Sequence, residues 1–157
     1  MNGGMIQNLS TVLVIDDADD VAQLLARFFA RAKLHPVIAS NGIAGLQQAR
    51  TLLPSLIFCD ADMPGLNGLQ VIERLRADPA TARIPIVLIS GYEAARFYGS
   101  GADAFLQKPF LMNEMVALAR RLVTRRASKS GDKALECAAW RCCPQELPIH
   151  RPNGDKG

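Results

Sequence analysis

Polar residues interrupt the apolar runs of this sequence in a regular way, each time directly after a run of aliphatic residues. These polar residues are Asp16, Asp17, Asp60, Ser90 and Lys108. Three carboxylates that lie close together repel one another, and a hard divalent cation such as Mg²⁺, which prefers oxygen ligands, relieves that repulsion. The acids therefore predict a magnesium site if the fold brings them to one place.

A lysine and a hydroxyl beside such a metal complete the set of groups that phosphoryl transfer needs. The loose transition state of that reaction is stabilised by positioning and by cations around the equatorial oxygens. An ionised aspartate attacks phosphorus without a general base and forms an acyl phosphate. Asp60 is the expected nucleophile because it follows a continuously apolar run and precedes the flexible loop 63–65. The competing interpretation is that acids after strands only cap helices, and we favour it for Asp19 and Asp20 taken singly.

The elements that must position these residues alternate between short apolar runs and helical patterns. Continuously apolar runs are typical of parallel strands that are buried on both faces. Strands are predicted at residues 11–15, 34–39, 55–59, 84–89 and 103–107. Apolar residues at helical spacing recur as Val21, Leu24, Leu25 and Phe28, and again as Met115, Leu118, Ala119 and Leu122. This alternation predicts an α/β fold of the (βα)5 type, a doubly wound parallel sheet of five strands.

The predicted helix boundaries agree with this arrangement. Asp19 and Asn41 are placed as N-caps, Gly99 and Gly101 end a short helix, and Asp78 precedes a proline that breaks another. In a doubly wound sheet, ligands bind at the carboxyl ends of the strands. Because the polar residues follow strands, we expect them to converge there into one site.

Length and pattern predict one domain. The chain has 157 residues, 49% of them hydrophobic, which is enough for one buried core and too few for two full-sized domains. The periodic patterns stop near residue 126, so residues 1–126 are expected to form the domain and residues 127–157 a flexible C-terminal tail. A tail of this length is too short for an ordinary DNA-binding or catalytic output domain. We therefore expect a chain that acts without an output domain.

Charge and hydropathy exclude several other classes of protein. The net charge is only +3 and the basic residues are spread along the chain, so no stripe predicts binding to nucleic acid. No basic segment precedes the first apolar run, which ends at Asp16. Neither a signal peptide nor a membrane span is predicted, and a cytoplasmic location is expected.

The cysteines predict no metal site. Cys137, Cys142, Cys143 and His150 follow the spacing C-x4-C-C-x6-H, which matches no common zinc pattern, so we favour an unpatterned tail with reduced thiols. Cys59 lies within the third predicted strand and is expected to be part of the core.

Four segments, in order along the chain, resemble the receiver domains of bacterial response regulators in two-component signalling. They read VLVIDD at 12–17, LIFCDADMPGLNG at 56–68, IPIVLISG at 84–91 and GADAFLQKPF at 101–110. The D-x-x-M-P-G-x-x-G element and the K-P-F element are specific in combination. The resemblance implies a flavodoxin-like sheet of strand order 2-1-3-4-5 and a regulator similar to the single-domain chemotaxis type.

The resemblance also implies a role for each acid. Asp60 would be the phosphoacceptor and a ligand of Mg²⁺. The further ligands would be Asp17 directly, Asp16 through a water molecule and the backbone carbonyl of Asp62. Lys108 would neutralise the phosphoryl group. The donor would be a histidine kinase or a histidine phosphotransfer protein, so the chain would be no enzyme beyond its own phosphorylation and dephosphorylation.

The implied switch involves a hydroxyl and an aromatic ring. Ser90 would move to hydrogen-bond the phosphoryl oxygens, and Phe105 would turn into the space that Ser90 leaves. The face formed by the fourth helix, fifth strand and fifth helix would change and bind a downstream protein. Lys108 and Pro109 would be joined by a cis peptide bond, which X-Pro sequences tolerate.

Three positions depart from the commonest pattern of the family. Ser90 stands where threonine is frequent, Gly91 where alanine is frequent and Phe105 where tyrosine is frequent. Phe105 has no hydroxyl, so a switch that relies on a tyrosine hydrogen bond is not available, although the ring still moves between rotamers. Asp62 and Tyr92 flank the expected path of an attacking water molecule and are expected to set the lifetime of the phosphoryl group.

Two other classes of function remain open. Asp60-Ala61-Asp62 fits the D-x-D nucleophile motif of haloacid-dehalogenase-like phosphatases, but those enzymes have their additional acid pair after the lysine, and here the pair is Asp16-Asp17, which comes before it. The other class is an interaction module that keeps the fold and does not depend on phosphorylation. The complete set of site residues argues against that class.

Overall fold

The computed structural model describes residues 10–128, and the following account concerns that range. Strands and helices alternate along it. The strands are β1 (Thr11–Ile15), β2 (His35–Ala39), β3 (Leu56–Asp60), β4 (Ile86–Ser90) and β5 (Ala104–Gln107). The α-helices are α1 (Asp19–Arg31), α2 (Gly42–Leu52), α3 (Gly68–Ala77) and α4 (Met112–Ser128). All neighbouring strands pair in parallel, in the order β2-β1-β3-β4-β5. The predicted sheet and its strand order are confirmed.

The central strands are buried on both faces, which explains their uninterrupted apolar sequences. In β1, Leu13 and Ile15 join the apolar cluster formed with α2 and α3. The alternate residues Val12 and Val14 join the cluster formed with α1 and α4. Successive side chains of a strand point to opposite faces, so each strand supplies both clusters. The sheet is thus covered by helices on both sides, and its strand ends are the places left for polar chemistry.

The face that α1 buries differs from the predicted stripe by about one residue. The expected stripe includes Leu24 and Phe28, but Leu24 is 43% exposed and Phe28 is half-buried. The fully buried residues of the helix are Ala22, Leu25 and Phe29. The prediction counted large apolar side chains, whereas the face that packs against the sheet also includes the small side chain of Ala22. In α4 the predicted contacts Met115, Ala119 and Leu122 are confirmed as buried.

Helix starts are confirmed at one predicted cap and corrected at the other. The side chain of Asn41 accepts a hydrogen bond from the backbone N–H of Ala44 at 2.8 Å and caps α2. Asp19 instead lies inside α1 as its first residue, and the N-cap is Ala18. The backbone N–H of Ala18 donates to Asp16 at 2.9 Å, so the carboxylate before the helix satisfies the N–H of the N-cap residue itself.

The connection between β4 and β5 contains no α-helix, which corrects the prediction of a fifth one. Residues 91–103 hold a single 3-10 turn, Ala94–Phe97. Gly99 and Gly101 follow it with φ of 78° and 88°, a conformation that ends a helix. The predicted stop at the two glycines is confirmed.

The side chain of Arg76, near the end of α3, links that helix to the segments that precede β4 and β5. Its guanidinium donates to three backbone carbonyls, those of Ala82, Ile84 and Gly101, at 2.8 to 2.9 Å. It also forms an ion pair with Asp103 at 2.7 Å. The same carboxylate oxygen of Asp103 accepts the backbone N–H of Ile86 at 2.8 Å. A planar guanidinium with a fixed fork of donors suits such a multiple contact.

Arg76→Ala is expected to lower the free energy of unfolding by about 2 to 3 kcal/mol, because hydrogen bonds to a charged group contribute about 1.5 to 3 kcal/mol and half-buried carbonyls lose their donors. Chemical denaturation measures the change. The matched control is Arg74→Ala, which removes an exposed arginine from the same helix and should stay within about 0.5 kcal/mol of wild type. Equal effects of the two substitutions would contradict the role given to Arg76.

The predictions on the C-terminal segment lie mostly outside the described residues. Helix α4 continues to Ser128, two residues beyond the predicted end of the domain. The expected tail, the cysteines Cys137, Cys142 and Cys143, and His150 lie beyond it, so the absence of a zinc site and of an output domain stay predictions. Within residues 10–128, no helix combines the length and the apolar character that crossing a membrane takes.

Candidate functional site

The predicted acids, Ser90 and Lys108 stand at the carboxyl edge of the sheet, whereas the predicted switch residue Phe105 lies within β5. Asp16 follows β1, Asp60 and Ser90 are the last residues of β3 and β4, and Lys108 follows β5. The β1, β3, β4 and β5 strands are consecutive neighbours in the sheet. Because the strands are parallel, residues that are far apart in the chain lie together at one polar edge of the sheet.

The carboxylates of Asp16, Asp17 and Asp60 form a close cluster. One oxygen from each lies within 4.8 Å of the others. Asp16 and Asp60 are buried, with 2% and 4% exposure, whereas Asp17 is exposed. Burial raises the pKa of both buried acids, and Lys108 opposes that rise in each case. The pKa of Asp60 is raised further by the negative charges of Asp16 and Asp62.

The donor set of this cluster fits a hard divalent cation. One carboxylate oxygen of Asp16 accepts the N–H of Ala18, and the other, Oδ2, is buried and has no hydrogen-bond partner among the described residues. A buried acceptor without a partner is costly, and a bound cation relieves that cost together with the repulsion of the neighbouring acids. Carboxylate oxygens are the ligands that Mg²⁺ prefers. Asp16, Asp17 and Asp60 are the residues that fit such an ion.

Asp62 was predicted to contribute a backbone carbonyl to the metal, and its ligand role stays a prediction. Its side chain is exposed and does not belong to the three-carboxylate cluster. Its charge nevertheless reaches the site, since it raises the pKa of Asp60.

Lys108 supplies the cation of the site. Its Nζ donates to Oδ1 of Asp60 at 3.2 Å, and the Asp60 side chain is far more buried than that of the lysine, at 5% against 39% exposure. The backbone N–H of Lys108 donates to the carbonyl of Ser90 at 2.8 Å, which fixes the end of β5 against the end of β4. The predicted cis bond between Lys108 and Pro109 is confirmed.

Ser90 and Phe105 lie on the same face of the sheet. Leu88 is paired with Phe105 in the register of β4 and β5, and Ser90 stands two residues after Leu88, so its side chain points the same way. Ser90 is fully buried, and its hydroxyl oxygen accepts the backbone N–H of Tyr92 at 3.1 Å. Phe105 is half-buried and packs against the apolar cluster of α2 and α3.

The sequence reasoning included Gly68 as the last residue of the D-x-x-M-P-G-x-x-G element but gave it no role, and in the structure it sets how closely α3 approaches the site. A Cβ at this residue would lie 2.4 Å from the carbonyl oxygen of Asp60 and 2.8 Å from the Cα of Ala61. Helix α3 starts here because Asn67 and Gln70 form a capping box at 3.0 and 3.1 Å. The signal that was available is the pair Asn67-Gly68 followed by Gln70.

Cys59 is a core residue, as expected. It is fully buried in the cluster of α2 and α3, and burial raises the pKa of its thiol strongly. A neutral buried thiol is a poor nucleophile, so the chemistry of this edge belongs to the carboxylates.

Comparison with known proteins agrees with this geometry. The model of the response regulator receiver domain matches residues 12–120, and the chain belongs to that family. The "DNA-binding dual master transcriptional regulator RpaA" of Synechocystis is 35% identical over 118 residues, which are 73% of this chain and 49% of RpaA. The chain therefore spans about half the length of that relative.

Solved structures give the same fold. The receiver domain of Francisella response regulator 1452 matches with a TM-score of 0.70 and 26% identity, over 74% of this chain and 98% of that one. The chemotaxis protein CheY4 of Vibrio cholerae matches with a TM-score of 0.68 and 21% identity, over 73% of this chain and 98% of its own, and supports the fold alone. The protein is thus a receiver domain of a two-component response regulator.

Proposed function

We propose that Asp60 accepts a phosphoryl group from the phosphohistidine of a histidine kinase or a histidine phosphotransfer protein. The observation that carries the proposal is the cluster of Asp16, Asp17 and Asp60 within 4.8 Å, with Lys108 bound to Asp60 at 3.2 Å. A carboxylate oxygen of Asp60 forms the new bond to phosphorus, and the bond from phosphorus to the imidazole nitrogen breaks. The products are an acyl phosphate on Asp60 and the free histidine of the donor.

The chain's own residues prepare Asp60 for this reaction. Burial raises the pKa of Asp60, and Lys108 opposes the rise and so favours the ionised nucleophile. Asp16 and Asp17, with the proposed carbonyl of Asp62, would hold Mg²⁺, which supplies positive charge for the phosphoryl oxygens. Lys108 supplies a second positive charge. Lys108 would stabilise the charge that spreads over the phosphoryl oxygens in the transition state.

The response would begin at Ser90. Its hydroxyl would give up the hydrogen bond that it accepts from the N–H of Tyr92 and donate to a phosphoryl oxygen, and Phe105 would move on the same face of the sheet. The predicted output face of the fourth helix, fifth strand and fifth helix corresponds here to the 3-10 turn Ala94–Phe97, β5 and α4. A downstream protein would bind that altered face.

The test of the proposal is phosphorylation by a small donor. Acetyl phosphate with Mg²⁺ should label the protein with one phosphoryl group per chain. The label should be labile to base and to hydroxylamine, as an acyl phosphate is. EDTA should stop the labelling, because the uncompensated carboxylates repel an anionic donor. No labelling in the presence of Mg²⁺, by either acetyl phosphate or a phosphorylated donor protein, would refute the proposal.

Lys108→Ala is expected to separate folding from response. The side chain is 39% exposed, so its removal should shift the thermal midpoint by only a few degrees. The affinity for beryllofluoride, a phosphoryl mimic, should fall by about tenfold or more, since a charge-assisted contact is worth about 1.5 to 3 kcal/mol. Calorimetric titration with saturating Mg²⁺ measures this affinity.

The matched control for Lys108→Ala is Gln107→Ala, which truncates the exposed neighbour and should bind beryllofluoride as wild type does. If Lys108→Ala keeps the wild-type affinity and shows the same change of the amide spectrum on binding, Lys108 does not couple the phosphoryl group to the response.

The alternative functions have separate tests. Receiver domains are signalling modules rather than classical enzymes, and catalytic turnover of ordinary phosphate esters would instead favour the phosphatase. A partner that binds wild type equally with and without beryllofluoride would favour the phosphorylation-independent module.

A further inference from the structure

The connection between β4 and β5, residues 91–103, contacts the sheet at its start and at its middle. At its start, the Ser90 hydroxyl oxygen accepts the N–H of Tyr92 at 3.1 Å. At its middle, the ring of Phe97 stacks on the ring of Phe105, with centroids 5.3 Å apart and planes 25° apart. Between them, the guanidinium of Arg96 lies 4.6 Å from the centre of the Tyr92 ring.

The contact of Phe97 with Phe105 involves the ring that the proposed switch must move. Phe105 stands on β5, on the same face as Ser90, and Phe97 is the last residue of the 3-10 turn. Both rings are half-buried and pack against the apolar cluster of α2 and α3. A parallel, offset arrangement of two rings at this separation is stabilising beyond the area that it buries. A move of Phe105 alone must give up that contact.

We infer that Phe97 is a positioning residue of the switch. Its ring stacks on Phe105, holds that ring in its unphosphorylated position and so opposes the change to the phosphorylated arrangement. The inference rests on the proposed function and deepens it. The short connection makes this contact effective, because a single 3-10 turn carries Phe97 directly onto β5. Ser90 releases the start of the connection when it turns to the phosphoryl group, and the stack of Phe97 on Phe105, at the middle of the connection, resists the movement of Phe105.

The sign of the effect follows from linkage. A ligand shifts an equilibrium between two arrangements only by its difference in affinity for them, and the cost of the shift is subtracted from its apparent affinity. Removing a contact that exists only in the unphosphorylated arrangement lowers that cost. Loss of the Phe97 ring should therefore weaken the fold and at the same time strengthen binding of the phosphoryl mimic. A residue with a merely structural role would not strengthen it.

The experiment measures the thermal midpoint and the beryllofluoride affinity of the full chain, with saturating Mg²⁺, for three variants at residue 97. Phe97→Ala should lower the midpoint and bind beryllofluoride about two- to tenfold more tightly, the range that corresponds to an aromatic pair. Phe97→Leu keeps an apolar side chain and loses the ring, so it should shift both quantities the same way by less. Phe97→Tyr keeps the ring and should match wild type in both.

A second readout is the amide spectrum without beryllofluoride. The signals of Ser90 and Phe105 in Phe97→Ala should lie part of the way toward their bound positions, because the minor arrangement is more populated.

Unchanged or weaker beryllofluoride binding by both Phe97→Ala and Phe97→Leu, with wild type binding normally, would overturn the role of Phe97 and leave the proposed function intact. A wild-type chain that neither binds beryllofluoride nor takes up a phosphoryl label would overturn the proposed function and this inference with it.

Discussion

Asp60→Asn is expected to abolish phosphorylation by acetyl phosphate while leaving the protein folded. The amide has nearly the size of the carboxylate but lacks the charge and the nucleophilic oxygen. Burial raises the pKa of Asp60, so its ionised form is disfavoured in the folded state. That cost is absent at low pH and is present once the pH exceeds the raised pKa. At neutral pH and without Mg²⁺, the variant should therefore be at least as stable as wild type.

The measurement is the stoichiometry of label on the intact protein, with chemical denaturation as the check on folding. Glu73→Gln is the matched control, because it removes an exposed carboxylate of α3 outside the site and should still label fully. Asp17→Asn should label more slowly and need more Mg²⁺. Full, metal-dependent labelling of a folded Asp60→Asn protein would show that another residue is the acceptor.

Gly68→Ala is expected to lower the free energy of unfolding by about 3 kcal/mol. The added Cβ would lie 2.4 Å from the carbonyl oxygen of Asp60 and 2.8 Å from the Cα of Ala61. Both contacts are with backbone, which cannot turn away as a flexible side chain does, and overpacking of this kind costs about 1 to 3 kcal/mol or more. Because α3 must retreat from the end of β3, labelling of Asp60 should also slow.

Gly91→Ala is the matched control for this substitution. A Cβ at Gly91 has no atom within 4 Å among the described residues and its φ is not positive, so the change should alter stability by less than about 1 kcal/mol. Chemical denaturation of both variants tests the pair. Similar stability of Gly68→Ala and Gly91→Ala would show that α3 has room that the structure does not give it.

The sheet and the convergence of the site were predictable because both follow from pattern and topology. Strands that are buried on both faces are apolar along their length, so Asp60 stands out as the one charge in β3, at its last residue. Once the strands are parallel, residues that follow them lie at one edge without any further information. The sequence pattern alone therefore predicts that Asp16, Ser90 and Lys108 lie beside Asp60.

The parts that could not be predicted depend on packing distances and on backbone partners. The buried face of α1 includes the small side chain of Ala22, which a count of large apolar residues leaves out. The single 3-10 turn depends on how residues 91–103 divide between turns and helix. Most of the partners of Arg76 are carbonyl oxygens, which every residue has and which leave no trace in the sequence. The contact of Phe97 with Phe105 follows only once the length of that turn is known.

The contacts of Arg76 and the acidic cluster lie at opposite edges of the sheet, so their effects on the free energy of unfolding should be independent. Arg76 binds the segments that enter β4 and β5, whereas Asp60 stands at the end of β3. A strand of five residues separates the two edges by about 16 Å, and groups that share no partner at such a distance act independently. The loss of stability caused by Arg76→Ala should therefore be the same in the wild-type and Asp60→Asn backgrounds. Chemistry at one edge can then be altered without loosening the other.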